Sequence, residues 1–91
     1  PQSPALFSLE QNYPNPFNPE TVIRYQLPEA GPVQLSVYNA LGQKVQELVN
    51  EKQEAGNYTV KFNGQTLASG VYLYKLQTGN NVLTRKMILL R

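Results

Sequence analysis

The sequence has no histidine, cysteine, tryptophan or aspartate among its 91 residues. Without His or Cys it lacks the commonest general base, the thiolate nucleophile and every usual zinc or copper ligand except Glu. That argues against an independent enzyme, and no residue pattern calls for a cofactor or a metal. Without Cys there is no disulfide framework, so stability rests on packing alone. Charge is sparse too, at 15% of residues against a typical ~25%. The basic residues Arg24, Lys44, Lys52, Lys61, Lys75, Arg85, Lys86 and Arg91 are scattered, and the net charge is only +2. That is not the footprint of a nucleic-acid binder. The longest wholly apolar run, Met87 to Leu90, falls far short of the ~20 residues of a membrane span, so no membrane insertion is expected. No secretory leader pattern opens the sequence. It is expected to be a module cut from something longer.

Neutral polar residues and turn formers take the place of the missing charge, with seven Pro, six Gly and six Tyr. This is the composition of a small all-β module. Residues 1–5 read as a linker remnant, with the domain over 6–91. Leu6, Phe7 and Leu9 offer a short first strand. Three Pro from Pro14 to Pro19 then exclude a regular helix, because each ring removes a donor and restricts the residue before it. An ordered crossing with Tyr13 and Phe17 as anchors fits this stretch.

From Thr21 a period of two takes over: Thr21, Ile23, Tyr25 and Leu27 alternate with Val22, Arg24 and Gln26. Val33, Leu35 and Val37 repeat the pattern, and Asn39 to Gly42 forms the next turn, with Gly42 suited to a left-handed position. Between Gln43 and Val49 the alternation breaks, since Val45 and Leu48 stand three apart. A β-bulge accounts for this, with a single helical turn as the alternative. Glu51 to Gly56 reads as a polar connection. Strands then follow at Tyr58 to Phe62, Val71 to Leu76 and Val82 to Leu90. About seven strands with turns every 8–12 residues predict an antiparallel two-sheet immunoglobulin-like sandwich.

The last hairpin allows a sharper expectation. A two-residue loop at Gly79-Asn80 puts Tyr72, Tyr74 and Leu76 on one face with Leu83, Arg85, Met87 and Leu89. The opposite face then carries Val71, Leu73, Ile88 and Leu90. Either this second apolar strip docks a partner, or loops from elsewhere in the domain cover it.

Several segments together resemble one family. Tyr13-Pro-Asn-Pro-Phe-Asn-Pro19 followed by Thr21-Val-Ile-Arg-Tyr25 is similar to the opening of the C-terminal sorting domains of type IX secretion. Tyr38-Asn-Ala-Leu-Gly-Gln-Lys-Val45, Ala55-Gly-Asn-Tyr58, Leu67-Ala-Ser-Gly-Val-Tyr72 and Lys86-Met-Ile-Leu-Leu-Arg91 follow in the family's order. The sequence is also similar to the immunoglobulin-like domain of flagellar hook-capping proteins. The resemblance implies a non-catalytic module at the end of a large exported protein, often a hydrolase, of a Gram-negative bacterium. It implies transit through the periplasm, recognition by an outer-membrane translocon, and removal by a sortase-like peptidase in the linker before the domain. Secretion or surface anchoring of the N-terminal cargo domain would follow. On this resemblance the motif residues Pro14, Asn15, Pro16, Phe17, Gly42, Gly56, Tyr58, Gly70, Tyr72 and Lys86, Met87, Ile88, Leu89, Leu90, Arg91 are the recognition candidates.

Each candidate also has a structural reading. Pro14 to Phe17 can serve as a fixed crossing that positions Phe17, and Gly42, Gly56 and Gly70 as backbone requirements. Glu47, Glu51 and Glu54 read as surface solubility rather than a carboxylate pair or a calcium site. Tyr72 and Tyr74 fit a core better than a sugar platform. An accessory spacer or a carbohydrate-binding module of a secreted glycosidase is the alternative function. For the sorting reading, the last strand is expected to offer its edge and its run Met87 to Leu90 to a receptor sheet.

Overall fold

Alternating apolar residues make each strand one-sided, and two such sheets bury their apolar faces against each other. The computed structural model describes residues 6–91, and the linker expectation for 1–5 lies outside the described residues. Seven strands follow in order: β1 (Ser8–Leu9), β2 (Glu20–Leu27), β3 (Gly31–Tyr38), β4 (Lys44–Gln53), β5 (Gly56–Asn63), β6 (Gly70–Thr78) and β7 (Asn81–Leu89). They form a three-stranded sheet ordered β1-β2-β5 and a four-stranded sheet ordered β4-β3-β6-β7, with every pairing antiparallel. The fold is the immunoglobulin-like sandwich that the periodicity predicts.

The core is the set of inward residues. Ile23, Tyr25, Leu27, Val33, Leu35, Val37, Phe62, Tyr74, Leu76, Met87 and Leu89 are all buried. The β6–β7 hairpin has the expected register, with Tyr72 opposite Met87 and Val71 opposite Ile88. Its two-residue loop begins at Gly79, where φ is 54°, a sign that a side chain rarely accepts and that this tight hairpin turn needs. In the β3–β4 turn Gly42 has φ 84°, and the Asn39 carboxamide oxygen accepts from the Leu41 and Gln43 amides at 2.9 and 3.0 Å. The Val45 and Leu48 spacing resolves as bulging: register shifts fall between Leu35 and Ser36 and between Val37 and Tyr38, and no helical turn is formed among the described residues.

One expectation is corrected. Glu51 to Gln53 continue β4, pairing with Gly31 to Val33, rather than belonging to the connection. A strand at the border of a sheet is held by backbone bonds and can carry polar side chains to water on both sides, so hydropathy gives no sign of it.

The registers sort the turns between two poles. The β2–β3 turn, the β4–β5 connection and the β6–β7 turn lie at one end, where the chain also arrives through Phe7 to β1. At the other end lie the β3–β4 turn, the Gly64–Ser69 loop, Phe17 and Arg91. Strands of about 27–33 Å run between them and set a long dimension of 41 Å.

Candidate recognition pole

The segment from Gln11 to Pro19 leaves β1 and changes sheets. Tyr13 pairs with Val22 of β2, but four residues on Phe17 forms a parallel bridge to Leu89 at the outer border of β7. The bonds before Pro14, Pro16 and Pro19 are cis. A path with this many proline rings cannot supply a regular ladder, so side chains complete it.

Asn12 is the hub. It is 2% exposed, and its amide N–H donates to the Tyr74 hydroxyl at 2.7 Å. That hydroxyl donates onward to the Glu10 carbonyl at 2.7 Å. The Asn12 carboxamide donates to Thr21 Oγ1 at 2.9 Å and to the Pro14 carbonyl at 3.1 Å, and it accepts from Gln11 Nε2 at 2.7 Å. Thr21 closes the loop by donating to the same Pro14 carbonyl at 2.9 Å. Burial raises the Tyr74 phenol above its ordinary pKa, against the opposing effects of the Asn12 N–H and the Arg85 charge. Every buried side-chain N or O among the described residues has a partner. Such a fully bonded network fixes one conformation, since any unmade bond here leaves a desolvated polar group.

The network delivers the next residues to β7. Asn15 Oδ1 accepts from the Ile88 amide at 2.9 Å. The Phe17 amide donates to the Ile88 carbonyl at 2.9 Å, and Phe17 in turn accepts from the Leu90 amide at 3.0 Å. Gln11 Nε2 also reaches the Lys86 carbonyl at 2.7 Å. The Phe17 ring is 1% exposed and meets Phe62 edge-on, with centroids 5.9 Å apart. Beneath it sits Gly64, where a Cβ would come within 3.1 Å of Leu89 Cδ2.

Arg91 is tied to the adjoining loop. Its amide donates to Ser69 Oγ at 2.9 Å, and Nη1 donates to the carbonyls of Leu67 at 2.8 Å, Gly64 at 3.3 Å and Gln65. A planar guanidinium suits such convergent carbonyls.

The candidates therefore divide. Pro14, Asn15, Pro16 and Phe17 meet Lys86, Met87, Ile88, Leu89, Leu90 and Arg91 at one pole. Of these Met87 and Leu89 point into the core, whereas Lys86 and Leu90 face water. Gly70, at φ 155°, starts β6 beside them, and Tyr72 donates to the Ala68 carbonyl at 2.6 Å from within the core. Gly42 lies in the β3–β4 turn at the same end. Gly56, at φ 152°, and Tyr58 lie toward the opposite pole, where Tyr58 stacks on Tyr25 at 5.2 Å and donates to the Glu54 carbonyl at 2.6 Å.

Along the outer face of the β6–β7 hairpin Val71 and Leu90 are exposed, and Leu73 and Ile88 half-buried. Lys75 flanks it, with its ammonium 5.1 Å from the centroid of Tyr38. Tyr72 and Tyr74 are core residues, and Tyr13, at 73%, is the one strongly exposed aromatic among the described residues. Glu47 pairs with Lys44 at 3.5 Å on the surface.

The last strand does not have the open edge expected of it. Because Ile88 and Leu90 turn their backbone groups outward, Gln11, Asn15 and Phe17 occupy its border from the Lys86 carbonyl to the Leu90 amide. Strand addition along Met87 to Leu90 would have to displace them. Gln11, Asn12, Thr21, Gly64 and Ser69 do not stand among the sequence's recognition candidates, because what marks them is a partner elsewhere in the chain.

Residues 11–90 match the family model described as "Secretion system C-terminal sorting domain". A search of the curated proteins finds no match.

Proposed function

As the chain belongs to the secretion-system C-terminal sorting domain family of type IX export, we propose that the Asn12–Pro19, Gly64–Ser69 and Lys86–Arg91 pole is what the outer-membrane translocon reads. A sorting domain of this family is a module that carries a larger cargo in cis to the type IX machinery and so to secretion or the cell surface of Bacteroidetes. The finer reading has the cargo a secreted hydrolase, carried across the periplasm and then parted from the domain by a sortase-like peptidase acting at or before residues 1–5.

One observation carries the choice of surface. Motif segments more than 70 residues apart, Asn15 and Ile88, are bonded directly to each other, and they lie at the end of the sandwich opposite to where the chain arrives. A machine that exports many cargoes needs a feature that no cargo covers, and the far pole is the part of the domain most distant from whatever precedes it. The outer strip Val71, Leu73, Ile88 and Leu90 adjoins this pole and adds apolar area to it.

The test is delivery in cells. The 91 residues are fused behind a fluorescent reporter with a periplasmic leader in a type IX-competent bacterium, and surface and periplasmic fractions are compared. Surface delivery that a translocon mutant abolishes is expected, as is its loss on deletion of Lys86 to Arg91. Export that survives this deletion would sink the choice of pole, and delivery unaffected in the translocon mutant would sink the sorting route. The reporter's new terminus after processing tests the position of cleavage.

A further inference from the structure

We infer that the border of β5 is a binding site for one extended peptide strand of a separate protein, lodged against β4. The inference rests on sheet geometry and is independent of the sorting reading.

The sandwich has four borders, and three of them are blocked. β7 is covered by Gln11, Asn15 and Phe17 over its second half. β1 is two residues long. β4 is twice bulged and bears Lys44, Glu47, Glu51 and Lys52. These are the devices by which sheets avoid unwanted pairing. β5 has almost none of them: it runs eight residues in unbroken register with β2, holds no proline and has Lys61 as its sole charge.

The backbone direction follows from β2. The Tyr13 amide donates to the Val22 carbonyl and the Glu10 amide to the Arg24 carbonyl, so even-numbered residues of β2 bond toward the β1 side. Odd-numbered ones therefore bond to β5, where they face Gly56, Tyr58, Val60 and Phe62. Asn57, Thr59 and Lys61 are left with N–H and C=O groups directed out of the sheet, a ladder whose natural complement is another extended backbone.

There is also a place for that strand's side chains. The Leu9 carbonyl accepts from Arg85 Nε at 2.7 Å and Gln11 reaches Lys86, so the two sheets align on the β1 and β7 side. Three strands facing four then leave β4 with no strand across from it. Of the eight half-buried apolar residues that border the core, five lie on this seam: Val45, Leu48 and Val49 on β4, Tyr58 and Val60 on β5. A strand added to β5 would turn every second side chain onto this roof, apolar at Val45, Leu48 and Val49 and polar toward Glu51 and Gln53, and complete a sandwich of four on four.

The slot selects its occupant. It is one strand wide, and a second copy pairing β5 to β5 would bring its own β3 and β4 into the space that β4 already roofs. β1, which the chain enters from Phe7, is at the opposite border of the same sheet. A single strand from another protein remains, apolar where it meets Val45, Leu48 and Val49, neutral polar where it meets Glu51 and Gln53, and with an acidic residue on its outer face beside Lys61.

The probe is a capped peptide of alternating valine and threonine with one threonine replaced by glutamate, titrated into the 15N-labelled domain and followed by amide exchange. The amides of Asn57, Thr59 and Lys61 are expected to slow by about tenfold or more at saturation, and those of Val82 and Thr84 on β7 to stay unchanged. Thr59→Pro deletes an outward N–H without touching the bonds to β2, and is expected to weaken binding by about tenfold. Exchange in the unaltered domain needs no variant, so a misfolded Thr59→Pro does not spoil the test. Absence of binding at millimolar peptide, protection on β7 in place of β5, or equal binding by a folded Thr59→Pro would each overturn the site.

Discussion

β5 and β7 both border a sheet, and they are nearly equal in length at eight and nine residues. They are finished in opposite ways. Along β7 a proline-rich segment has been laid as a surrogate strand, its amides and carboxamides filling the outward groups from Lys86 to Leu90. Along β5 nothing of the kind is present among the described residues, and the apolar side chains beneath stay half-buried. An edge that is closed by specific bonds presents side-chain chemistry and shape to a partner, because its backbone is spent. An open edge presents the backbone itself, and reads mainly whether a partner can extend. The domain thus has two kinds of surface, a composite pole suited to a defined receptor and a slot suited to a strand.

The largest perturbation of this contrast is Phe17→Ala. It removes a ring that lies fully within the core beside Phe62, and deletions of this kind cost about 3–5 kcal/mol. Against a total stability of about 5–15 kcal/mol for a domain, urea unfolding should show a much lower midpoint. Exchange at Ile88 and Leu90 should rise before global unfolding, since the surrogate strand loses its anchor. Export of the reporter should fall as well, though Lys86 to Arg91 remain in the chain. Export at the normal level would mean that a linear tail is read rather than a folded pole.

The open side has its own signature in alkali. Tyr25 stacks on Tyr58 of β5 and donates to Gln53 Oε1 of β4 at 2.6 Å, so it ties the two walls of the slot. Burial pushes its phenol up to about 12, with the Gln53 bond acting in the opposite direction. A raised phenol pKa means that the folded state keeps its proton longer than the unfolded one. Its contribution is complete below pH 10 and is lost as pH rises toward about 12, at up to about 1.4 kcal/mol per pH unit. Unfolding curves across this window should show the slope in the unaltered domain and a shallower one in Tyr25→Phe.

On the closed side Tyr74→Phe is a smaller and more local change. It keeps the ring and deletes the hydroxyl, leaving the Asn12 amide and the Glu10 carbonyl without their partner. A loss of about 1–3 kcal/mol is expected. A loss of a few tenths would mean that water replaces the hydroxyl and that Asn12 is less of a hub than its bonds imply.

How much of this the sequence discloses depends on how far apart the partners are. The β6–β7 register could be read directly, because period two and a Gly-Asn turn are local facts that fix which side chains share a face. The bulges in β4 were visible as a broken period at Val45 and Leu48. The stretch from Glu51 to Gln53 was not visible as strand, because its pairing with Gly31 to Val33 is a backbone matter. The pole was legible only as motifs, and its chemistry was not. The Asn12 backbone amide meets Tyr74 across 62 positions and the Asn15 carboxamide meets Ile88 across 73, and neither asparagine differs from those in the turns. Nor could a single strand's pattern tell β5 from β7: which edge is closed depends on where a distant loop is laid.

Asn15→Ala isolates that closure with the least cost. The side chain is exposed, and its oxygen takes one amide proton that water can also take, so stability should fall by only about 0.5–1 kcal/mol. Amide exchange should nonetheless quicken at Ile88, and the free outward N–H groups of β7 would then run from Val82 to Ile88, with the Lys86 and Ile88 carbonyls still held by Gln11 and Phe17. An exposed stretch of this kind pairs with its like, so sedimentation at rising concentration should show weak self-association that the unaltered domain lacks. If Ile88 stays as protected as before, the Phe17 backbone holds the edge by itself, and the carboxamide at position 15 is free to serve a receptor instead. That outcome would move Asn15 from the structural to the recognised part of the pole, where its replacement should lower export while leaving the fold as it is.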